Sequence, residues 1–218
     1  MGKNNSSMVS KIEPQNIMVF IKKLGRNIFT THEMIAISGK SASTIVQSLN
    51  RLANQGLIIK IYQGVWAEPG PRALSPFEVI PHLFPRQRVY VSFISALHLH
   101  GIVEQIPQVI TLASTSHSNT IRTNVGVFSI HQIAPSFFGG FDWYKGDGSF
   151  LIAEPEKALI DSLYLSSRKK KQFGNFPELH FPKEFSFRKA AKWAKQIAEK
   201  KIRQYVLKKL ETFSIRQN

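Results

Sequence analysis

The sequence contains no cysteine. That excludes a disulfide framework, a cysteine-ligated zinc site and a thiol nucleophile, and it suits a reducing compartment. Acidic residues are scarce: 14 Asp and Glu stand against 29 Lys and Arg, for a formal charge of +15 and a pI near 10.1. Long apolar runs are missing too. The longest, around Val89–Leu99, is broken by serine and histidine, well short of the roughly 20 apolar residues of a membrane helix. The first residues, Met1-Gly-Lys-Asn-Asn-Ser-Ser, have no apolar signal-peptide core. A cytoplasmic protein that does not enter a membrane is expected.

What is present completes the picture. With 43% hydrophobic and 11% aromatic residues, the chain can bury a core rather than remain a disordered basic tail. Its 218 residues suit one large domain or two small ones. The unbalanced positive charge points to the phosphates of nucleic acid. It is unevenly spread: residues 1–75 hold 9 basic and 3 acidic residues, 76–165 hold 5 and 7, and 166–218 hold 15 and 4. Two basic ends therefore flank a nearly neutral, aromatic-rich middle. A Pro/Gly connector, Pro69-Gly70-Pro71 with Pro76, places a boundary near residue 72. This gives domains over 8–72 and 73–218, with Met8 an alternative start.

The first domain reads as a DNA-binding module. Most of Ile12, Ile17, Val19, Phe20, Ile21 and Leu24 fit one face of a first helix that Gly25 ends. Thr30 and Glu33 match a capping box, so a short second helix runs to about Ile37. After the Ser38-Gly39-Lys40 turn, a third helix runs from about Ser41 to Asn54, with Ile45, Val46, Leu49, Leu52 and Ala53 as its apolar positions and the spacing of Ile45, Leu49 and Leu52 marking one buried face. Residues 57–62 and 65–67 are β-rich and flank Gln63-Gly64, a hairpin turn in which Gly64 supplies a positive φ. Helix, helix, turn, helix, hairpin is the order of a winged helix-turn-helix whose third helix enters the major groove. Ser43, Thr44, Gln47 and Ser48 are then the candidates for base contacts. Lys40, Arg51, Lys60, Tyr62 and Gln63, with the amides near Thr30 and Thr31 at a helix start, are candidates for phosphate contacts.

The second domain reads as mixed. Helices are expected from Ser75 or Pro76 to Phe84, within Tyr90–Gly101 with Ser92 near the cap and Gly101 at the C-terminal stop, and over Glu154–Tyr164, with strands at 109–113, 121–123, 125–130 and 150–153. Two basic helices are expected at 187–199 and 202–213. Arg168, Lys169, Lys170 and Lys171, with Lys192 and Lys195, form a candidate second basic patch, for which simple solvation is the competing explanation. The fold class is thus α+β: an N-terminal winged helix-turn-helix followed by a mixed α/β domain with basic C-terminal helices.

Signals of catalysis are weak. Gly148-Ser149 is followed by no Asp-x-Asp pair, as a nucleotidyltransferase would need to hold metal. Glu156 and Lys157 read as helix-start and surface residues, and Asp161 as a hydrogen-bonding group inside the fold. His98 and His100, two apart, lie on different faces of a helix and do not jointly hold a metal. No Gly-x-Ser-x-Gly elbow supports a Ser-His-Asp site. The aromatic run Phe137–Tyr144 reads first as core packing and second as a contact surface. No catalytic residue, metal or cofactor is expected.

Three stretches carry a resemblance: Tyr90-x-Ser92-x-x-Ser95-Ala-Leu-x-x-His100-Gly101 with Glu104-Gln-Ile-Pro107, then Phe138-Gly139, then Ala153-Glu-Pro-Glu-Lys-Ala-Leu-Ile-Asp161-Ser-Leu-Tyr164. Together with the N-terminal module, over roughly residues 14–210, this pattern resembles the AbiEi antitoxins of type IV toxin–antitoxin systems, predicted transcriptional regulators of viral (phage) defence. The resemblance implies a two-domain antitoxin. Its winged helix would bind inverted repeats in double-stranded DNA of its own promoter and repress transcription. Its C-terminal domain would carry the antitoxic activity and assist cooperative DNA binding. The partner would be a nucleotidyltransferase-like toxin, countered without a stable complex, and the antitoxin a monomer or a DNA-induced dimer. Because family members also occur without a toxin, an orphan regulator with a ligand- or partner-binding C-terminal domain stays open, as does a divergent nucleic-acid enzyme.

Overall fold

The computed structural model of the protein describes residues 17–146, 149–168 and 176–215. They form a mixed α and β structure with two sheets. The chain divides into two compact units between Arg72 and Ala73. No helix of the described residues is long and apolar enough to cross a membrane.

The first unit runs α1 (Ile17–Lys23), β1 (Ile28–Thr30), α2 (Thr31–Ser38), α3 (Ala42–Asn54), β2 (Ile59–Tyr62) and β3 (Val65–Ala67). Local signals set most of these limits. Thr30 caps α2 in a complete capping box with Glu33, and Gly39 ends that helix at φ +65°, its N–H donating to the Ile35 carbonyl. Ser41 caps α3, its side chain accepting from Thr44 N–H. Gly64, at φ +75°, turns β2 into β3. The sheet is antiparallel in the order β1-β3-β2, and β1 is a strand that the sequence did not announce. Ile17, Phe20, Ile21, Phe29, Met34, Ile45, Leu49, Leu52, Ile58 and Trp66 make one core. Ile45, Leu49 and Leu52 are the buried face of α3, as their spacing indicated; Val46 lies off that face and is 40% exposed.

The second unit centres on a six-stranded sheet in the order β6-β7-β5-β4-β9-β8. Its strands are β4 (Val89–Val91), β5 (Val109–Ser114), β6 (Asn119–Thr123), β7 (Gly126–Gln132), β8 (Phe141–Trp143) and β9 (Leu151–Ala153). The pairs β5·β7 and β4·β9 are parallel, and the other neighbours are antiparallel. Its helices are α4 (Ile80–Leu83), α5 (Phe93–Leu99), α6 (Pro155–Ser166), α7 (Phe187–Lys195) and α8 (Lys200–Ile215). The helix expected before Phe84 is split into a 3-10 turn, Pro76–Val79, and the single turn of α4; Pro81 lacks the N–H needed to continue one helix. Within Tyr90–Gly101 the helix begins at Phe93 with Ser92 at its N-cap, as expected; the fully buried strand Val89–Val91 before it was not expected, since apolar residues that face both ways leave no alternating pattern. The expected 187–199 helix stops at Lys195. α5 packs on α6, and α6 on α7 and α8.

Candidate nucleic-acid interface

Helix α3 buries Ile45, Leu49 and Leu52 and turns its opposite face outward. Ser43, Thr44, Gln47 and Arg51 are exposed there, while Ser48 is half-buried at the margin. Two exposed residues join them that the sequence reading did not select: Val46 and Asn50. Helical spacing puts Ser43, Val46, Gln47, Asn50 and Asn54 together along the outward stripe. Asn50 was legible from this spacing; Val46 was hidden by its own hydrophobicity. The stripe offers amide donors and acceptors suited to base edges, and a branched methyl pair suited to the methyl of thymine. The hydroxyls nearest the helix start are partly engaged: Ser41 Oγ lies 3.0 Å from Ser43 Oγ and 2.8 Å from Thr44 Oγ1.

Around α3 the expected phosphate contacts are distributed differently. Thr30 N–H donates to Glu33 Oε2 at 2.8 Å, and Thr31 N–H donates to the Gly64 carbonyl at 2.9 Å. Both amides are thus already hydrogen-bonded within the protein. Thr31 Oγ1 also accepts from Trp66 Nε1 at 2.9 Å, tying β3 to the start of α2. Glu33 is pushed up by burial, but hydrogen bonds from the Thr30 backbone and hydroxyl and from Arg26 outweigh that and hold its carboxyl below the usual value. The remaining candidates are better placed. Arg51, Lys60, Tyr62 and Gln63 are exposed and Lys40 is half-buried; the Lys60 ammonium lies 5.4 Å from the Trp66 ring centroid.

In the second unit, the three stretches that carried the resemblance converge on one buried cluster. Lys157 and Asp161, both fully buried, form an ion pair one helical turn apart on α6. Asp161 Oδ2 also accepts from Tyr90 Oη at 3.0 Å and from Ser92 Oγ at 2.7 Å. Lys157 Nζ donates to Tyr90 Oη at 3.1 Å and sits 3.9 Å from the Phe137 ring centroid. Phe141 stacks on Tyr90, and Phe138 packs against it at a tilt. Burial pulls the Lys157 ammonium down and pushes the Asp161 carboxyl up, each partly held back by the other. Tyr90 is raised by burial, then by the charge of Asp161. Glu156, expected on the surface with Lys157, is likewise buried; it accepts from Ser186 N–H at 3.0 Å and pairs with Lys189 at 3.5 Å. Asp161 does hydrogen-bond inside the fold, as its sequence context indicated. His100 and His98 bond to the carbonyls of Ala153 and Val103. Tyr90, Ser92, Lys157 and Asp161 are sealed from solvent and knit β4, α5 and α6 together.

No family model matches this chain, and no curated protein does.

Among the described residues, no three His, Asp or Glu side chains come together as metal ligands. Part of the C-terminal basic charge is engaged within the fold. Lys169, Lys170 and Lys171 lie outside the described residues, and Arg168 donates to the Tyr164 hydroxyl. Lys189 is bound to Glu154 at 3.0 Å and to Glu156, and Arg203 donates to the Ile197 carbonyl. Lys192 and Lys195 on α7 are exposed, as are Lys200, Lys201, Lys208 and Lys209 on α8.

Proposed function

We propose that the first unit is a winged helix-turn-helix, that α3 reads the major groove, and that the chain is a transcriptional autorepressor and antitoxin of the AbiEi type. The observation that carries the DNA reading is the outward stripe of α3. Its amide and hydroxyl side chains stand exposed beside Arg51, while Ile45, Leu49 and Leu52 anchor the opposite face in the core. The β2–β3 hairpin is the wing, and Lys60, Tyr62 and Gln63 are its backbone contacts. Gln47 and Asn50 are the strongest base readers, because each can make a paired contact with adenine. The phosphate role expected of Thr30 and Thr31 passes to Lys40, Arg51 and the wing. The antitoxin part rests on the resemblance of the second unit, whose motif stretches meet in one buried cluster instead of scattering over the surface.

The DNA reading is tested by a gel shift on the gene's own upstream region. Gln47→Ala with Arg51→Ala is expected to weaken binding at least tenfold, and unaltered binding rejects α3 as the recognition helix. The antitoxin reading is tested separately with that same double variant in cells arrested by a nucleotidyltransferase-like toxin encoded next to this gene. Rescue is expected to persist without DNA binding. Absence of rescue by both the variant and the wild type leaves a regulator only.

A further inference from the structure

We infer that the second unit carries a binding site for a small organic anion, in the cleft between the α4–β4 connection and the β5–β6 loop. This goes beyond the DNA reading and does not depend on it. The cleft has a volume of about 530 Å³, within the roughly 300–1,000 Å³ of small-ligand sites. Its lining has two parts. Leu83, Phe84, Pro85, Ile121 and Ile130 form an apolar wall, and Arg86, Gln87, Ser116, His117, Ser118 and Asn119 bring polar groups to the same space. Among the described residues no aspartate or glutamate lines it, and the Arg86 guanidinium is the one formal charge that does.

The polar groups divide into those that build the cleft and those left for a ligand. Ser118 Oγ accepts from Gln132 N–H at 3.0 Å, and Asn119 Oδ1 from Thr120 N–H at 2.7 Å, which fix the β5–β6 loop. Gln132 Nε2 adds a bond to the Thr115 carbonyl at 3.1 Å. Arg86 and His117, in contrast, are exposed and carry no hydrogen bond or ion pair to any described residue. An arginine left without a partner beside an apolar wall, on a loop held in shape by its neighbours, suits a phosphate or carboxylate head attached to an apolar body. The guanidinium fork matches both heads bidentately, and the wall accounts for the body. A bare inorganic ion would use only half of the site, and a neutral body only the other half.

Phenyl phosphate, benzoate, benzyl alcohol and inorganic phosphate serve as probes against the full-length protein, followed by amide shifts in NMR titrations. Phenyl phosphate or benzoate is expected to bind saturably, shifting residues 83–87 and 116–121. Benzyl alcohol and inorganic phosphate are each expected to bind at least tenfold more weakly. Arg86→Gln is expected to lower the affinity at least tenfold with no change in unfolding temperature, since Arg86 bonds to nothing described. Lys192→Gln, on a different basic surface, is expected to change nothing. The proposal is overturned if Arg86→Gln and Lys192→Gln weaken the anions equally, because the anions then see only the net charge. It is also overturned if the cleft residues shift with duplex DNA and with none of the four small probes. If phenyl phosphate and benzoate both bind, the shared anionic head is the recognised feature; if only one does, it names the head group.

Discussion

At the residue scale, Lys157 and Glu33 show opposite uses of charge. Lys157 and Asp161 are a fully buried ion pair, and removing one partner strands the other in a low-dielectric interior. Lys157→Met and Asp161→Asn are each expected to cost about 3–5 kcal/mol in urea unfolding. The double variant Lys157→Met with Asp161→Leu is expected to cost less than the sum of its parts, because no charge is left stranded. Additive losses would mean that the two residues do not act as a pair. This role was hidden in the sequence. A lysine near the start of a helix looks like a surface residue, and only the tertiary fold brings Tyr90, Ser92 and Phe137 around the pair. Glu33 was legible, because its capping box is local. Its carboxyl titrates below the ordinary value of 4.5, so the ionised form contributes stability above that value. The contribution is lost as pH falls through the lowered folded value. Wild-type unfolding midpoints are expected to fall faster over this acid range than those of Glu33→Gln, whose amide carries no titrating charge. Parallel acid limbs would remove Glu33 from the account.

At the scale of elements, legibility follows length and locality. Helices α2 and α3 were readable to within a residue or two, because a capping side chain begins each and a Gly39 turn separates them. The strands β1, β4 and β8 were not: three residues are too few to show alternation, and the equally short β3 and β9 were read only from the Gly64 turn before β3 and the helix start after β9. The identity of the first three comes from partners distant in sequence, such as β9 beside β4. The turn into β8 shows how such an element is positioned. Gly140 sits at φ +69°, and a Cβ there would meet Trp193 of α7 at 2.5 Å and Lys157 at 3.0 Å. Gly140→Ala therefore combines an unfavourable backbone with a clash against packed side chains. It is expected to destabilise the protein by more than about 1 kcal/mol and to alter Trp193 fluorescence. Gly101→Ala shares the positive φ at +71°, but no atom lies within 4 Å of its Cβ position. It is expected to cost less and to leave Trp193 unmoved. Equal effects at both glycines would reduce the Gly140 effect to backbone strain alone.

At the scale of the whole molecule, the charge of +15 has more than one meaning. Some of it is internal. Lys157 is buried, Lys189 holds α7 to the start of α6 through Glu154 and Glu156, and Lys22 pairs with Glu68 at 2.8 Å. What faces solvent on α7 and α8 includes Arg188, Lys192, Lys195, Lys200, Lys201, Lys208 and Lys209. Deleting these helices cannot test their role, because Ala190, Ala194, Ile202, Val206 and Leu210 are buried and the cut would open the core on α6. Neutralising Lys192, Lys195, Lys200 and Lys201 to Gln together leaves that packing intact, and thermal unfolding should confirm a folded protein. If these lysines meet DNA phosphates, the slope of log affinity against log salt is expected to become shallower by about 0.9 for each phosphate that no longer meets a lysine. Base preference at the operator should stay unchanged, because phosphate contacts position without specifying. An Arg51→Gln control is expected to make the same slope shallower by about 1. A slope that responds to Arg51 and not to the four lysines would assign Lys192, Lys195, Lys200 and Lys201 to solvation.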